Sequence, residues 1–414
     1  MGGCRGGLLG AAPLLAAALL AAALAGCAAA TNTGVTVTGS TLTVYASQPV
    51  GGVGTQEAQD LIAGERLALS QAGGQVGRFA VKLKVLGSAK LSDDARTALL
   101  DQSAVAYVGD VVPGTSSQSL GITNGPSNQP LLQLSPTDNA VELTQPSPVV
   151  ANSPTKYYEA LSTNKRTFGR VVPVDTHDAT ALAGWLSTSR VKKLFVATDG
   201  NSGVEGDYGR AIAYAVAQAA QQRGIAVQQG LGRPTVQQVT ASGADALFMG
   251  TNAQSAAADL FNAVAAVRPR LALYGSAALA YDTFAAGLIP AAQANFLAVR
   301  PGFLNNRALT AAGVKFVADF KAATGRDPGP GGGDAIFGYE AMALVLDVLR
   351  RAGANAANHA ALIADFHATN GRASVLGTYS IDGDGDTSLK PAPIILEHVV
   401  LGRLAPFKAL PAQG

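Results

Sequence analysis

A short loop of hydroxyl residues in this chain could bind a charged group. Gly114-Thr115-Ser116-Ser117 follows a strand-like segment and precedes a helical one. The N-terminus of a helix presents free backbone N–H groups, and these donors together with small hydroxyls suit a carboxylate. Serine and threonine also cap helices commonly, so plain N-capping is the alternative interpretation for Thr115, Ser116 and Ser117.

Catalytic and cofactor-binding patterns are incomplete in this sequence. Gly52-Val53-Gly54 lacks the third glycine of a dinucleotide fingerprint, and Gly200-Asn201-Ser202-Gly203 does not have the spacing of a nucleophile elbow. The run Asp382-Gly383-Asp384-Gly385-Asp386 begins like a calcium loop but lacks the later glutamate. The 4 histidines show no metal-ligand spacing. We therefore expect a protein that is not an enzyme and that holds no cofactor or metal ion.

The N-terminus has the pattern of an export signal. A basic start at Arg5 is followed by an apolar run from Leu8 to Ala25 and by small residues at the cleavage point. Leu24-Ala25-Gly26-Cys27 resembles the lipobox of bacterial lipoproteins, in which the signal is removed before the cysteine and the thiol is lipidated. This resemblance predicts a signal peptide over 1–26 and a lipid anchor on Cys27. The alternatives are a transmembrane anchor, or a secretory signal with a chance cysteine.

Composition limits the remaining functions. Acyl chains on Cys27 would hold the protein at a membrane surface, so we expect an extracytoplasmic, membrane-anchored protein. The formal net charge is +2 with scattered Lys and Arg, which gives no basic surface for nucleic acid. The 2 cysteines are Cys4 and Cys27, so the mature chain keeps no thiol for a disulfide or for catalysis. We expect a monomer.

Strand and helix patterns alternate along the chain and then start again. Apolar and β-branched runs predict strands at 41–45, 79–86, 104–108 and 130–134, with helices at 56–71 and 92–100 between them. The second series begins with a strand at 191–198, and it continues with strands at 225–228, 246–249, 271–274 and 296–299 and helices at 208–222 and 256–267. Such alternation predicts parallel sheets, and two comparable units predict two α/β lobes with a cleft between them.

The two ends of the body are less regular. Residues 27–40 are small and polar and predict a flexible tether, although the alternation at 34–38 could instead form a short strand. Near the C-terminus, helices are predicted at 309–324 and 337–352, and strands at 378–381 and 394–400.

The order of several motifs resembles the type I periplasmic substrate-binding proteins of ABC transporters, in their branched-chain amino acid branch. The resemblance covers about 42–407. It rests on these segments: Ala68-Leu69-Ser70-Gln71-Ala72-Gly73-Gly74, Val105-Ala106-Tyr107-Val108-Gly109, Leu132-Gln133-Leu134-Ser135-Pro136, Glu142-Leu143-Thr144, Phe168-Gly169-Arg170, Phe337-Gly338-Tyr339-Glu340-Ala341 and the tail from Tyr379 to Arg403.

This resemblance implies two Rossmann-like lobes of the periplasmic-binding-protein-like I type. Each lobe is expected to be a parallel sheet flanked by helices, and three strands form the hinge. The first lobe is expected at 41–170 and 301–372 and the second at 171–300 and 373–410, with crossings near 168–176, 300–303 and 372–378. The implied function is a solute-binding receptor that closes on a small polar ligand, an amino acid or related carboxylate, and delivers it to an ABC permease. A sensor of the same fold without transport is the alternative.

The resemblance also implies the residues that contact the ligand. It assigns the ligand carboxylate to the loop at Thr115 and Ser116, and further ligand contacts to Thr137 and Asn139 after Ser135-Pro136. An Asx turn is the alternative for the second pair. The resemblance also places three cleft residues: Tyr208, Tyr339 and Asn252, the last where the family often has tyrosine. Tyr339 could instead be a core residue of its helix.

One departure concerns the ligand ammonium. After Leu273-Tyr274-Gly275 the family places an acidic residue, whereas this chain has Ser276-Ala277-Ala278. An unpaired ammonium in a closed cleft would be costly, so a carboxylate partner is expected. Either Asp282 or Asp199 substitutes, or the ligand is not an α-amino acid.

Overall fold

The computed structural model describes residues 35–49, 54–125, 130–158, 166–230 and 232–411. The predicted signal peptide, Cys27 and residues 28–34 lie outside these ranges, as do residues 50–53. The fold is α/β, with two mainly parallel sheets flanked by helices, as the resemblance implied. No helix within the described ranges is long and apolar enough to cross a membrane.

The first sheet contains six described strands: β1 (Thr41–Ser47), β2 (Gln75–Val76), β3 (Phe79–Leu86), β4 (Ala104–Val108), β5 (Leu132–Ser135) and β6 (Phe168–Arg170). Their order across the sheet is β2-β3-β1-β4-β5-β6, and all pairs are parallel except β2 with β3. The central strand β4 is buried along its whole length, which its sequence Ala-Val-Ala-Tyr-Val allows. The helices α1 (Thr55–Gln71), α2 (Leu91–Leu100) and α3 (Leu120–Thr123) connect these strands. This sheet and its helices form the first lobe.

The second lobe begins with α4 (Thr176–Thr188), for which the sequence analysis made no prediction. Its strands are β7 (Lys193–Thr198), β8 (Ala226–Gln229), β9 (Ala246–Gly250), β10 (Ala272–Gly275) and β11 (Phe296–Pro301), and these pair in parallel. The helices between them are α5 (Asp207–Gln222), α6 (Val236–Ala241), α7 (Gln254–Val267), α8 (Asp282–Ala286) and α9 (Pro290–Gln293).

The chain then returns to the first lobe. There it forms α10 (Ala311–Thr324), α11 (Ala335–Ala352), α12 (His359–His367) and the short antiparallel pair β12 (Arg372–Ala373) and β13 (Thr378–Tyr379). It ends in the second sheet as β14 (Pro393–Val400) and β15 (Arg403–Pro411), which complete the order β15-β14-β11-β10-β9-β7-β8. Because β14 is antiparallel to both β11 and β15, this sheet is mixed and not purely parallel.

The chain passes between the two sheets three times. The first passage follows β6, and the second follows β11, where the Gly302 N–H donates to the Pro393 carbonyl. Residues 372–386 still contact the first lobe, because Tyr379 donates to Glu340 of α11 and Asp386 pairs with Arg170 of β6. The third passage therefore lies between Asp386 and Pro393, later than the expected 372–378. We accordingly propose that the second lobe resumes near 387.

Two further segments differ from the expectation. The last predicted strand, at 394–400, is the first half of a hairpin, and its partner β15 was not predicted. Near the N-terminus, Thr36 forms an antiparallel bridge with Asn358, and the Val37 N–H donates to the Ala357 carbonyl. Val37 is buried. This part of the 27–40 segment thus packs on the first lobe through one isolated bridge and two backbone hydrogen bonds, with Ala357 and His359, and does not form the short strand of the alternative.

Glycines allow α1 and α11 to pack closely. A Cβ atom at Gly64 would lie 2.0 Å from the Ala335 carbonyl oxygen, and one at Gly338 would lie 2.0 Å from that of Leu61. Only glycine permits this approach of two backbones. The contact brings the first turn of α1 beside the start of α11, and both helix ends face the space between the lobes.

Candidate functional site

Two neighbouring cavities lie between the lobes. The inner cavity, of about 20 Å³, has room for about one water molecule, and the outer cavity measures about 240 Å³. They share the lining residues Glu57, Arg300, Pro301, Asp334 and Phe337. Both lobes contribute to each wall, as in a cleft that closes around a small molecule.

Arg300 is the central charged group of the two cavities. It lies at the end of β11, and its side chain is 16% exposed. Its guanidinium forms an ion pair with Asp334, and its Nη1 lies 3.9 Å from Oε2 of Glu397. Burial by itself lowers the pKa of Arg300, but the charges of Asp334 and Glu397 raise it above the ordinary arginine value. The charged guanidinium therefore joins the second lobe to the start of α11 in the first lobe.

Carboxylates outnumber cationic groups on the outer cavity wall. Among the described lining residues the only cationic side chain is that of Arg300, and the acidic ones are Glu57, Asp60, Asp282, Asp334 and Glu397. Burial raises the pKa of Glu57, and the charge of Asp334 raises it further. Burial also raises the pKa of Glu397 to about 7, although Arg300 opposes this shift. The wall is therefore acidic, and two of its carboxyls are costly to ionise.

The hydroxyl loop already holds a carboxylate of this chain. The backbone N–H groups of Gly114 and Ser116 donate to the two carboxylate oxygens of Asp138, at 2.7 and 2.9 Å. Asp138 is completely buried. Its pKa is raised by burial, and the two N–H donors oppose that rise. Two backbone donors of the loop that the sequence assigned to a ligand carboxylate thus already bind the carboxylate of Asp138.

The hydroxyls of this loop form local bonds. Thr115 donates to the Val112 carbonyl at 2.6 Å, and Ser117 donates to the Gly114 carbonyl at 2.7 Å. The Ser116 hydroxyl accepts from the Asp110 N–H. Residues Thr115–Gln118 form a single 3₁₀ turn without a side-chain N-cap, so the N-capping alternative does not describe them either.

Thr137 and Asn139 lie in the neighbouring loop and have different surroundings. Thr137 lines the inner cavity, and its hydroxyl donates to the Val111 carbonyl at 2.6 Å. Asn139 is buried, and its amide donates to Asp178 at 2.7 Å. Thr137 thus remains a candidate ligand contact, whereas Asn139 joins the loop to α4.

Tyr208 and Asn252 of the second lobe face the hydroxyl loop of the first. A Cβ atom at Gly114 would lie 2.4 Å from Cβ of Tyr208 and 3.3 Å from Nδ2 of Asn252. Gly114 also has a φ of 83°, which favours glycine. The lobes therefore meet at Gly114, and the structure brings five of the predicted site residues together around it: Thr115, Ser116, Ser117, Tyr208 and Asn252.

The two acidic residues that could pair with a ligand ammonium lie in different parts of the second lobe. Asp282 lies on the outer cavity wall, where its Oδ1 accepts from the Leu404 N–H at 2.8 Å. Asp199 accepts a hydrogen bond from the Thr251 hydroxyl and lines neither cavity. Ser276 stands where the family pattern has an acid, and its hydroxyl donates to the Thr251 carbonyl. Of the two proposed substitutes, the geometry therefore favours Asp282.

Tyr339 does not reach the cleft. Its hydroxyl donates to Gln71 at the C-terminal end of α1, and its ring lies 5.0 Å from that of Phe316 in α10. It packs between helices of the first lobe, as the core alternative stated. The neighbouring Phe337 lines both cavities instead, because it lies on the other face of α11.

Sequence reasoning missed most of the charged cavity wall. Glu57, Arg300, Asp334 and Glu397 are far apart in the sequence and belong to no motif. The one available signal was Arg300, because it stands at a predicted crossing between the lobes. A charged residue at a predicted crossing is therefore a signal by which the sequence can indicate a cleft residue.

Comparisons with known proteins support the fold described above. A family model described as "Periplasmic binding protein" matches residues 121–390, which is more than half of the chain. No curated protein matches the chain significantly.

Several solved structures share the fold at low sequence identity. A leucine-binding protein, LivK, from Thermotoga maritima is 16% identical with a TM-score of 0.69, and the match covers 89% of this chain and 99% of that one. A substrate-binding protein of an ABC transporter from Desulfitobacterium hafniense in complex with Leu is 17% identical, with a TM-score of 0.66 over 89% and 100%. A solute-binding protein from R. palustris in complex with benzoate is 16% identical, with a TM-score of 0.65 over 90% and 98%.

Proposed function

Since the chain belongs to the periplasmic binding protein family, we propose that it is the extracytoplasmic solute-binding receptor of an ABC importer. A small polar ligand enters between the lobes, the lobes close by bending at the three crossings, and the permease recognises the closed form. The protein acts as a monomer and releases its ligand chemically unchanged.

One observation carries this proposal. The two cavities are lined by both lobes, and the Arg300–Asp334 ion pair joins the lobes at the cavity wall. A ligand in this position contacts both lobes only when they are closed, so its binding energy favours closure. The passages after β11 and before β14 lie directly beside the cavities, because Pro301 and Ile395 are lining residues.

A ligand screen tests the proposal. Native mass spectrometry of the purified protein identifies any molecule that co-purifies, and thermal denaturation with small amines, amino acids and carboxylates ranks the candidates. A ligand present at a hundred times its Kd stabilises the folded state by about 2.7 kcal/mol, which is a measurable rise in Tm. Recovery of a converted product would instead identify an enzyme.

The lipid anchor is a separate part of the proposal. Cys27→Ser removes the thiol that would accept the lipid, so we expect the variant to leave the membrane fraction and appear in the soluble fraction. The matched control is Cys4→Ser, since Cys4 lies within the predicted signal. Membrane association of the Cys27→Ser protein equal to that of the control would contradict the anchor.

A further inference from the structure

We propose that the ligand is a small organic cation, with an ammonium or guanidinium group bound at the acidic wall of the outer cavity beside Glu397. This inference rests on the proposed receptor function and specifies the substrate class of the same cleft. It replaces the expectation of a carboxylate ligand.

The first argument is the charge of the wall. Five carboxylates and one guanidinium line the outer cavity among the described residues, and the guanidinium of Arg300 is paired with Asp334. Asp60 is paired with Arg326, and Asp282 accepts from the Leu404 N–H. The negative charges of Glu57 and Glu397 are therefore only partly balanced by cations or hydrogen-bond donors. A cation entering the cavity would neutralise part of this excess.

The second argument is the condition of Glu397 itself. Glu397 is only 8% exposed, and no donor among the described residues forms a hydrogen bond to its Oε2. Among the described residues its ion-pair partner is Arg300, whose Nη1 lies 3.9 Å away, beyond hydrogen-bond distance. A buried carboxylate oxygen without a donor is costly, and a ligand N–H at the cavity wall would supply one. Oε2 of Glu57 is in the same condition.

The third argument concerns anions. An anionic ligand would need free donors, and the strongest ones near the cleft are already used. The N–H groups of Gly114 and Ser116 bind Asp138, and the Arg300 guanidinium binds Asp334. A ligand carboxylate would therefore have to displace a carboxylate of the chain itself, while an ammonium meets acceptors without donors.

The remaining wall describes the rest of the ligand. Phe303, Phe337, Ile395, Leu404 and Pro406 give the outer cavity an apolar side. The cavity of about 240 Å³ has room for a short aliphatic or small aromatic body. The ligand class is thus a small amine or guanidine with an apolar part.

Acid should weaken this binding. The groups around Glu397 are Arg300 of β11, Asp334 before α11, Asp282 of α8 and Glu57 of α1, while the residue opposite it on β15 is Pro406. The cation requires ionised Glu397, whose pKa of about 7 lies within the working range. Because only about a tenth of such a group is ionised one unit below its pKa, affinity falls about tenfold from pH 8 to pH 6.

Calorimetry on the mature chain tests the inference with defined probes. Agmatine, 1,5-diaminopentane and n-pentylamine are the cations, and pentanoate, 1-pentanol, leucine and benzoate are the comparisons. At least one cation should bind, and more tightly than pentanoate and pentanol. Glu397→Gln should weaken that binding about tenfold and reduce its pH dependence. Asp259→Asn is the control, since the Asp259 side chain is 73% exposed on α7 and its recorded partner is Arg233.

The outcomes separate the two proposals. Binding of leucine, benzoate or pentanoate without any cation overturns the cation inference and leaves the receptor function standing. Equal affinity of Glu397→Gln and Asp259→Asn for the cation also overturns it, as does binding of calcium chloride in place of the organic cations. Glu57→Gln provides a second variant if Glu397→Gln does not fold. If no probe binds, the cation inference is contradicted. The receptor function is then tested by the search for a co-purified ligand.

Discussion

At the scale of single residues, the cleft is defined by which donors and acceptors are already paired. The Asp138 carboxylate accepts hydrogen bonds from two backbone N–H groups that a ligand anion could have used. Asp334 forms an ion pair with the guanidinium of Arg300. Because a buried hydrogen bond to a charged group is stronger than one between neutral groups, these internal pairs compete well with a ligand. Specificity in this cleft therefore depends on the groups that the chain leaves unpaired.

Removal of the Asp138 carboxylate tests this competition. In Asp138→Ala, the buried N–H groups of Gly114 and Ser116 lose their acceptor, so we expect the free energy of unfolding to fall by about 1–3 kcal/mol. Added formate should then restore part of the loss, since it can accept from both donors. Thermal denaturation against formate concentration measures this effect.

The control for that experiment is Ser117→Ala. It removes a hydroxyl from the same loop, but that hydroxyl donates to a carbonyl, so no buried N–H is released. Formate should not rescue this variant. An equal effect of formate on Asp138→Ala, Ser117→Ala and the wild type would show that the loop donors are not the cause.

At the scale of elements, the close contact of α1 with α11 sets the position of the acidic wall. Glu57 and Asp60 belong to the first two turns of α1, and Asp334 and Phe337 lie at the start of α11. Gly64 and Gly338 let the two backbones touch. A larger residue at either glycine would separate the helices and widen the cavity wall.

Gly338→Ala tests the role of this contact. The added Cβ would lie 2.0 Å from the Leu61 carbonyl, so we expect a loss of about 1–3 kcal/mol in the free energy of unfolding and weaker ligand binding. Gly184→Ala in α4 is the matched control, because its Cβ would lie 3.6 Å from Arg223. That helical substitution should be neutral or stabilise by up to about 1 kcal/mol. Urea unfolding of both variants measures the difference, and equal stabilities would contradict the packing argument.

The elements were easier to predict than the site. The predicted bounds of β4 match the structure at both ends, and the predicted start of α1 differs by one residue. These predictions succeed because apolar periodicity and flanking glycines are local signals. β13 lies within the strand predicted at 378–381, whereas its partner β12 and the late third passage depend on contacts with Glu340 and Arg170, which no local pattern shows. The same reason explains the site: Arg300, Asp334 and Glu397 meet only after the lobes have formed. Asp138 was missed because its partners are backbone groups.

At the scale of the whole molecule, the structure has two lobes that meet around two cavities. The lobes touch at Gly114 and Tyr208, and also at Arg300 and Asp334 on the cavity wall. The central claim is that this contact forms and breaks as ligand binds and leaves. Closure should therefore be blocked by a side chain placed at the contact.

Small-angle X-ray scattering of three proteins tests this claim most directly: the wild type, Gly114→Val and Gly203→Val. Both glycines have positive φ, 83° and 67°, but a Cβ at Gly114 meets Tyr208 at 2.4 Å, whereas one at Gly203 meets nothing within 4 Å. With the compound that stabilises the wild type most, we expect the radius of gyration to decrease in the wild type and in Gly203→Val, and to stay large in Gly114→Val. Binding of that compound with no change in the radius of the wild type, or with equal radii in all three proteins, would contradict the account.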